Sequence, residues 1–155
     1  MGNYVDFETE FIERTLRLID QYNQMIEELE VGFDEQLNYT LTINCLLGLI
    51  VMPKERVLTY IPNDLLSEAY LHDLGFVEST IGPGITRFKD LIRQLRNSIA
   101  HFKIDVESVD EGFLVDYLVF SHLNGSLVAR IKSTEIVPFL RFYCQNVLQN
   151  LNRRR

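Results

Sequence analysis

Helical spacing of apolar residues dominates the first half of the chain. From Val5 to about Glu30, apolar side chains recur every three or four positions with acidic residues between them, which predicts a long amphipathic helix. Leu37 to Ile61 begins with alternation but becomes continuously apolar, and it predicts a buried second helix that kinks or breaks at Pro53. Leu65 to Leu74 predicts a short third helix, which Gly75 ends.

Ile85 to Lys103 has the most regular helical pattern, and it predicts a fourth helix. The segment Gly82-Pro83-Gly84 before it is interpreted as a hinge or turn, because it lacks the residues of a phosphate-binding loop. At about 100° per residue, one arc of the helix is apolar and predicts a core face. That arc contains Phe88, Leu91, Ile92, Leu95, Ile99 and Phe102. The opposite side is polar and contains Arg93, Gln94, Arg96, Asn97 and His101, with Ala100 among them.

After the fourth helix, the pattern changes to one that is typical of strands. Ile104 to Glu107, Phe113 to His122 and Leu127 to Ile131 alternate or are rich in Val, Leu, Phe and Tyr. Asn124-Gly125, between the last two segments, is a strong hairpin signal. These segments predict a three-stranded antiparallel meander.

A last helix is predicted to begin at a capping Ser133 or Thr134 and to bury an apolar side that extends to Leu151. Residues 153–155 are a basic tail, interpreted as frayed, with RNA steering as the alternative. The predicted fold is therefore mainly α: a helical bundle with a small three-stranded antiparallel β-meander inserted before the C-terminal helix. Residues 1–155 are expected to form a single domain, because 46% hydrophobic content supplies one full-sized core.

Charge limits the binding functions that the chain can have. A formal net charge of −7 argues against a protein that coats nucleic acid over a broad face, because such binding requires many basic contacts. The fourth helix is the local exception, since its five basic residues oppose only Asp90. Those basic residues are Arg87, Lys89, Arg93, Arg96 and Lys103.

Other features favour an intracellular protein without a prosthetic group. The N-terminus lacks the pattern of a signal peptide, and the longest apolar run is too short to span a bilayer, so we expect a cytoplasmic protein with no membrane partner. Cys45 and Cys144 are predicted to be buried free thiols. No metal-ligand spacing is present in the sequence, and neither a metal nor a cofactor is expected. His72 and His122 are interpreted as surface histidines, His122 at the mouth of the hairpin.

Arg96, Asn97 and His101 form the pattern arginine, polar residue, any three residues, histidine. Late in an amphipathic helix that follows other long helices, this pattern resembles the signature of the HEPN superfamily. Many members of that superfamily are compact helical, metal-independent endoribonucleases of toxin–antitoxin and anti-phage systems. The overall layout, including the run LLGLIVMPKER that ends at Arg56, is similar to a subfamily of small plasmid-borne HEPN nucleases. The predicted meander departs from the all-helical surroundings that are common in the family, and it leaves the shape of the substrate cleft open.

The resemblance implies cleavage of RNA through attack of the 2′-hydroxyl on the adjacent phosphorus. His101 is the candidate acid or base, because imidazole titrates close to neutral pH. Arg96 is the candidate stabiliser of transition-state charge, and Asn97 is the candidate for orienting the imidazole or holding a phosphate oxygen. Arg93 and Lys103 are candidates for binding RNA. The products would be a 2′,3′-cyclic phosphate and a 5′-hydroxyl end.

The resemblance also implies a two-fold homodimer that pairs His101 and Arg96 of two motif helices across a shared cleft, with Ala100 allowing close approach. An antitoxin protein is a further candidate partner. The main alternative is a non-catalytic HEPN-like module that binds nucleotide or a partner protein, which the acidic surface favours. A third interpretation makes Arg96 and His101 a structural ion-pair neighbourhood.

Overall fold

The computed structural model describes residues 3–32, 35–51, 59, 61–109 and 115–152. The helices within these residues are α1 (Phe7–Glu28), α2 (Asn38–Val51), α3 (Glu68–Asp73), α4 (Phe88–Ala100) and α5 (Ile136–Asn152). The strands are β1 (Thr80–Ile81), β2 (Ile104–Glu107), β3 (Tyr117–Ser121) and β4 (Leu127–Lys132), and a 3₁₀ turn at Ser133–Glu135 leads into α5. The prediction of a mainly α fold is confirmed.

The predicted helices are present, and most of their ends lie within a few residues of the predictions. The second helix was predicted to continue to Ile61, and most of that continuation after Val51 lies outside the described residues. In α2 the polar and apolar alternation at the start does not produce a strand, because Leu46, Leu49 and Ile50 are buried by packing against neighbouring helices. The predicted kink at Pro53 lies outside the described residues, as does the basic tail at 153–155. Cys45 and Cys144 are buried and free, as predicted.

The sheet has four strands, and the prediction of three was wrong. Its order is β1-β4-β3-β2, and all of its neighbouring strands are antiparallel. Strands β2, β3 and β4 are the predicted meander, and β1 adds to its open edge by pairing Thr80 with Arg130. Two residues are too few to show alternation, so β1 could not be predicted from periodicity.

Helix α4 is the element that joins the helices to the sheet. It packs against α2 on one side and against β3 and β4 on the other, so it lies between the two layers. The surroundings of the motif helix are therefore not helices alone, because the sheet covers part of it. Most of the predicted core arc is confirmed: Phe88, Leu91, Ile92 and Leu95 are fully buried, and Ile99 is buried at 9% exposure.

Phe102 was wrongly predicted to belong to this core arc. Its side chain is 87% exposed, because α4 ends at Ala100 and the chain turns before Phe102. Phe102 has a φ of 52°, in the left-handed region, so the helical angle of 100° per residue no longer applies there.

The turn at Gly82-Pro83-Gly84 is present, and Gly82 is needed there for a specific reason. Its N–H donates a hydrogen bond of 2.8 Å to the carbonyl of Val128, which continues the pairing of β1 with β4. A Cβ at Gly82 would lie only 1.8 Å from the carbonyl oxygen of Leu127. Only glycine therefore allows the chain before α4 to approach the start of β4 this closely.

Gly82→Ala is expected to lower the free energy of unfolding by about 3 kcal/mol, the upper end for forcing an added group into a packed site. Urea denaturation measures the change. Gly32→Ala is the matched control, because among the described residues the added methyl would meet only a side-chain oxygen of Glu35, at 4.0 Å. Equal stabilities of the two variants would contradict the close approach.

Glu135 ties the start of α5 to the segment after α3. Glu135 is buried, with 8% exposure, and its carboxylate accepts hydrogen bonds from the backbone amides of Val77, Glu78 and Ser79. The hydroxyl of Ser79 donates a fourth hydrogen bond of 2.5 Å. Burial by itself raises the pKa of Glu135, but these hydrogen bonds outweigh it and hold the pKa below its ordinary value of 4.5.

Glu135→Gln is expected to lower the free energy of unfolding by about 1–3 kcal/mol at pH 7, because an ionised acceptor of four hydrogen bonds is lost. Since folding lowers the pKa, the ionised carboxylate stabilises the protein fully above pH 4.5 and loses this effect as the pH falls through the lowered value. Urea denaturation of both proteins at pH 7 and pH 3 should therefore show a smaller difference at pH 3. A difference that does not change with pH would contradict the assignment.

Candidate active site

An open cleft of about 520 Å³ lies between the end of α4 and the hairpin that joins β3 to β4. The wall formed by α4 and its end presents Gln94, Asn97, Ser98 and His101. The hairpin wall presents Ser121, His122, Leu123, Asn124 and Ser126, and Lys103 lies on the connecting segment. The cleft therefore depends on the packing of the sheet against α4.

The way α4 ends fixes the position of His101. His101 is the C-cap residue of α4, and its N–H donates to the carbonyl of Asn97 at 3.1 Å. Phe102 N–H then bonds to the carbonyl of Ile99 at 3.0 Å, and Lys103 N–H to that of Ser98 at 2.7 Å. With Phe102 in the left-handed region, these bonds form a Schellman motif. The exposed His101 side chain therefore projects from a fixed helix end rather than from within the helix.

The opposite wall is a three-residue hairpin loop, Leu123-Asn124-Gly125. The N–H of His122 donates to the carbonyl of Ser126 at 2.8 Å, and its carbonyl accepts from Gly125 N–H at 2.9 Å. Gly125 has a φ of 84°, which explains why a glycine stands at this position. The hairpin predicted from Asn124-Gly125 is thus confirmed.

A backbone hydrogen bond connects the two walls. Ser121 N–H donates to the carbonyl of Lys103 at 3.0 Å, which extends the pairing of β2 with β3 up to the edge of the cleft. The register of β3 against β4 shifts between Phe120 and Ser121, a bulge of the kind that redirects side chains beside functional sites. The separation of the walls is therefore set by main-chain contacts.

The electrostatics of the cleft differ from those of the whole chain. Among the described residues that line it there is no Asp or Glu, whereas Lys103, two imidazoles, amides and hydroxyls are present. The chain as a whole has a formal net charge of −7. The C-terminal end of a helix has partial negative charge, so binding of an anion here depends on these side chains and not on the helix dipole. A cleft with these donors is suited to a phosphate group.

Comparison with protein-family models matches residues 1–154 to the family described as HEPN pEK499 p136. The chain belongs to this HEPN family. No curated protein and no solved structure gives a significant match. The HEPN match includes all of α4 and the hairpin, so both walls of the cleft lie within the family region.

Three of the five site residues predicted for this HEPN protein line the cleft. These are Asn97, His101 and Lys103, whereas Arg93 and Arg96 are not among the described lining residues. Arg96 lies about 140° around the axis of α4 from His101. Arg96 is half-buried. Burial of the Tyr143 phenol raises its pKa, and the nearby charge of Arg96 opposes that rise. By this helical spacing, the arginine and the histidine of the motif project in different directions from α4 within one chain.

His122 is the lining residue that sequence analysis assigned to the solvent. In the structure it is half-buried and shares the cleft with His101. No local pattern marks it, because its place depends on how the hairpin packs beside α4. A histidine immediately before a hairpin loop was the only signal.

A membrane-spanning helix and a cluster of metal ligands were both sought in the part of the HEPN chain that the structure describes. None of its helices combines the length and the apolar composition needed to cross a bilayer. No three His, Cys, Asp or Glu side chains there are grouped closely enough to hold a metal ion.

Phe102→Gly is expected to raise the free energy of unfolding by about 1 kcal/mol, because a left-handed φ is costly for any residue with a Cβ and free for glycine. Phe102→Ala keeps the Cβ and removes only an exposed ring, so it serves as the matched control and should change stability little. Urea denaturation measures both. A destabilised Phe102→Gly protein would show that the ring has a structural contact.

Proposed function

We propose that this HEPN-family protein is a metal-independent endoribonuclease that cleaves RNA through attack of the 2′-hydroxyl. The observation that supports this most is the position of His101. It lines a cleft with Asn97 and Lys103 and with no carboxylate among the described lining residues, in a chain whose net charge is −7. A histidine in a donor-rich cleft has the chemistry to move a proton beside a bound phosphate.

The reaction needs a proton acceptor, a proton donor and stabilisation of negative charge. A base removes the 2′-hydroxyl proton as the oxygen attacks phosphorus, and an acid protonates the 5′-oxygen as it leaves. Imidazole serves either role near neutral pH, so His101 is assigned to proton transfer. Lys103 and the amide of Asn97, which line the same cleft, are assigned to donate to the non-bridging oxygens, where charge grows in the transition state.

Arg96 is assigned to the same charge stabilisation, but across a homodimer. Because Arg96 and His101 project in different directions from α4 by helical spacing, a second copy that packs along α4 would bring its Arg96 to the first copy's cleft. Ala100 is exposed and small, which allows two such helices to approach closely. Arg93 is also exposed and would contact the RNA backbone outside the cleft.

Phe102 favours single-stranded RNA as the substrate. It follows His101 directly, its ring is 87% exposed, and its backbone is held in a costly conformation. Backbone strain that is retained next to a candidate site supports a functional role for the strained residue. Stacking of an unpaired base on an exposed aromatic ring is a common mode of RNA recognition.

The biological setting that we propose is toxin–antitoxin or anti-phage defence, with a protein antitoxin as a partner. The second candidate function is a HEPN module that binds a nucleotide or a partner protein without cleavage. The position of Arg96 outside the described lining of the cleft favours this candidate, since a single chain then lacks the arginine needed for catalysis.

His101→Ala is expected to reduce cleavage of single-stranded RNA in EDTA by at least about 100-fold, because general acid–base groups contribute 10²–10⁴-fold. Arg96→Lys keeps the charge but loses the planar pair of donors, so a loss of roughly 100-fold is expected. His72→Ala, an exposed histidine on α3, is the control and should cleave normally. Gel electrophoresis measures the rates, and end analysis should find cyclic phosphates.

Three other outcomes would each contradict the proposed cleavage at His101. Intact RNA that nevertheless binds to the wild-type protein would support the binding module. A His101→Ala variant that fails to fold, seen as loss of the circular dichroism of the wild type, would support a purely structural motif. Cleavage by the wild type that His101→Ala leaves unchanged would rule out the proposed site.

A further inference from the structure

The protein has three histidines, and two of them line the same cleft from opposite walls. His101 projects from the end of α4, and His122 is the last residue before the hairpin loop. The third, His72, lies on α3 and is not among the described lining residues. The two cleft histidines are 21 positions apart in sequence, so only the packing of the sheet beside α4 brings them together.

Main-chain contacts hold each of the two histidines in place. His101 is fixed by the hydrogen bonds that end α4, including the bond of 3.1 Å from its N–H to Asn97. His122 is fixed by two hydrogen bonds within the hairpin, to Ser126 and from Gly125. The bond from Ser121 to Lys103 joins the residue before His122 to the segment that follows His101. The two imidazoles are therefore attached to a single backbone framework.

The surroundings of His122 are polar and have little charge. Lys103 is the charged side chain among the described lining residues, apart from the histidines themselves. His122 is half-buried and lines the cleft. The cleft of about 520 Å³ has room for a phosphate and the sugars on either side of it.

We propose that His122 is the second proton-transfer residue of this cleft, so that one subunit supplies both the base and the acid. This inference rests on the proposed ribonuclease function. One imidazole, neutral, accepts the 2′-hydroxyl proton as the bond from O2′ to phosphorus forms. The other, protonated, gives its proton to O5′ as the bond from phosphorus to O5′ breaks. The cleft loses and gains one proton, and the products are the 2′,3′-cyclic phosphate and the 5′-hydroxyl end.

The inference changes what a second copy of the chain would contribute. In a site made of two His101 residues, proton transfer needs both subunits and His122 plays no part. With His122 in the site, the second copy supplies charge stabilisation through Arg96 and no proton-transfer group. The first arrangement therefore predicts that removal of His122 leaves cleavage unchanged, and the second predicts that it lowers the rate of cleavage.

Steady-state cleavage of single-stranded RNA in EDTA, measured from pH 5 to pH 9, tests the inference. His122→Ala and His122→Gln are compared with His101→Ala and with His72→Ala as the matched control. Both His122 variants should lower kcat by at least about 100-fold, as expected for loss of an acid–base group, with a KM close to that of the wild type. The wild-type rate should rise and then fall with pH, and one of these limbs should be missing in the His122 variants.

Addition of free imidazole separates proton transfer from a structural role. Imidazole should restore part of the activity of His122→Ala, because the truncated side chain leaves space for it, whereas a distorted hairpin would not respond. Normal cleavage by both His122 variants while His101→Ala is inactive would overturn the role of His122 and leave the ribonuclease function standing. Loss of activity that imidazole does not restore, with unchanged limbs in the pH profile, would also overturn it. A wild-type protein that does not cleave RNA would overturn both proposals.

Discussion

Burial of one face of α4 is the interaction on which the rest of this structure depends. Leu91, Ile92 and Leu95 are fully buried on a helix that packs against α2 and the sheet. Phe88 is fully buried against the rings of Tyr70 and Phe142. Each such side chain contributes about 1.5–3 kcal/mol when it is removed from water. This packing fixes the rotation of α4 about its axis, and with it the direction of every polar residue on the other side. Asn97 and His101 face the cleft because the apolar face of the same helix must stay buried in the core.

The sheet supplies the second wall of the cleft that these residues of α4 face. A lone helix end would present His101 to solvent, but the hairpin packed beside α4 encloses it with polar groups and with a second histidine. The negative charges of the chain lie elsewhere, since the described lining of the cleft contains no carboxylate. An acidic protein can thus hold a local site for an anion, and the rest of its surface discourages broad contact with nucleic acid.

Periodicity predicted α4, most of its buried arc and the meander, because these depend on short-range patterns of apolar residues. It failed at Phe102, where the helix has already ended. The usual marker of such an end is a glycine in the left-handed position, and here a phenylalanine occupies it. It also failed for β1, which is too short to alternate, and for His122, whose position in the cleft depends on contacts between distant segments. The motif residues were visible in the sequence, but the cleft that Asn97 and His101 line was not, because it depends on how the hairpin packs beside α4.

The central claim is that one cleft holds a phosphate group between His101 and His122. The most direct measurement is nuclear magnetic resonance of the histidine rings during titration with a 2′-O-methyl single-stranded RNA, which lacks the attacking hydroxyl and is not cleaved. Because the chain has only three histidines, His72 serves as the internal reference. The account predicts that the signals of His101 and His122 shift together and saturate while that of His72 stays in place. Signals of His101 and His122 that do not move, or a shift of all three histidines alike, would contradict it.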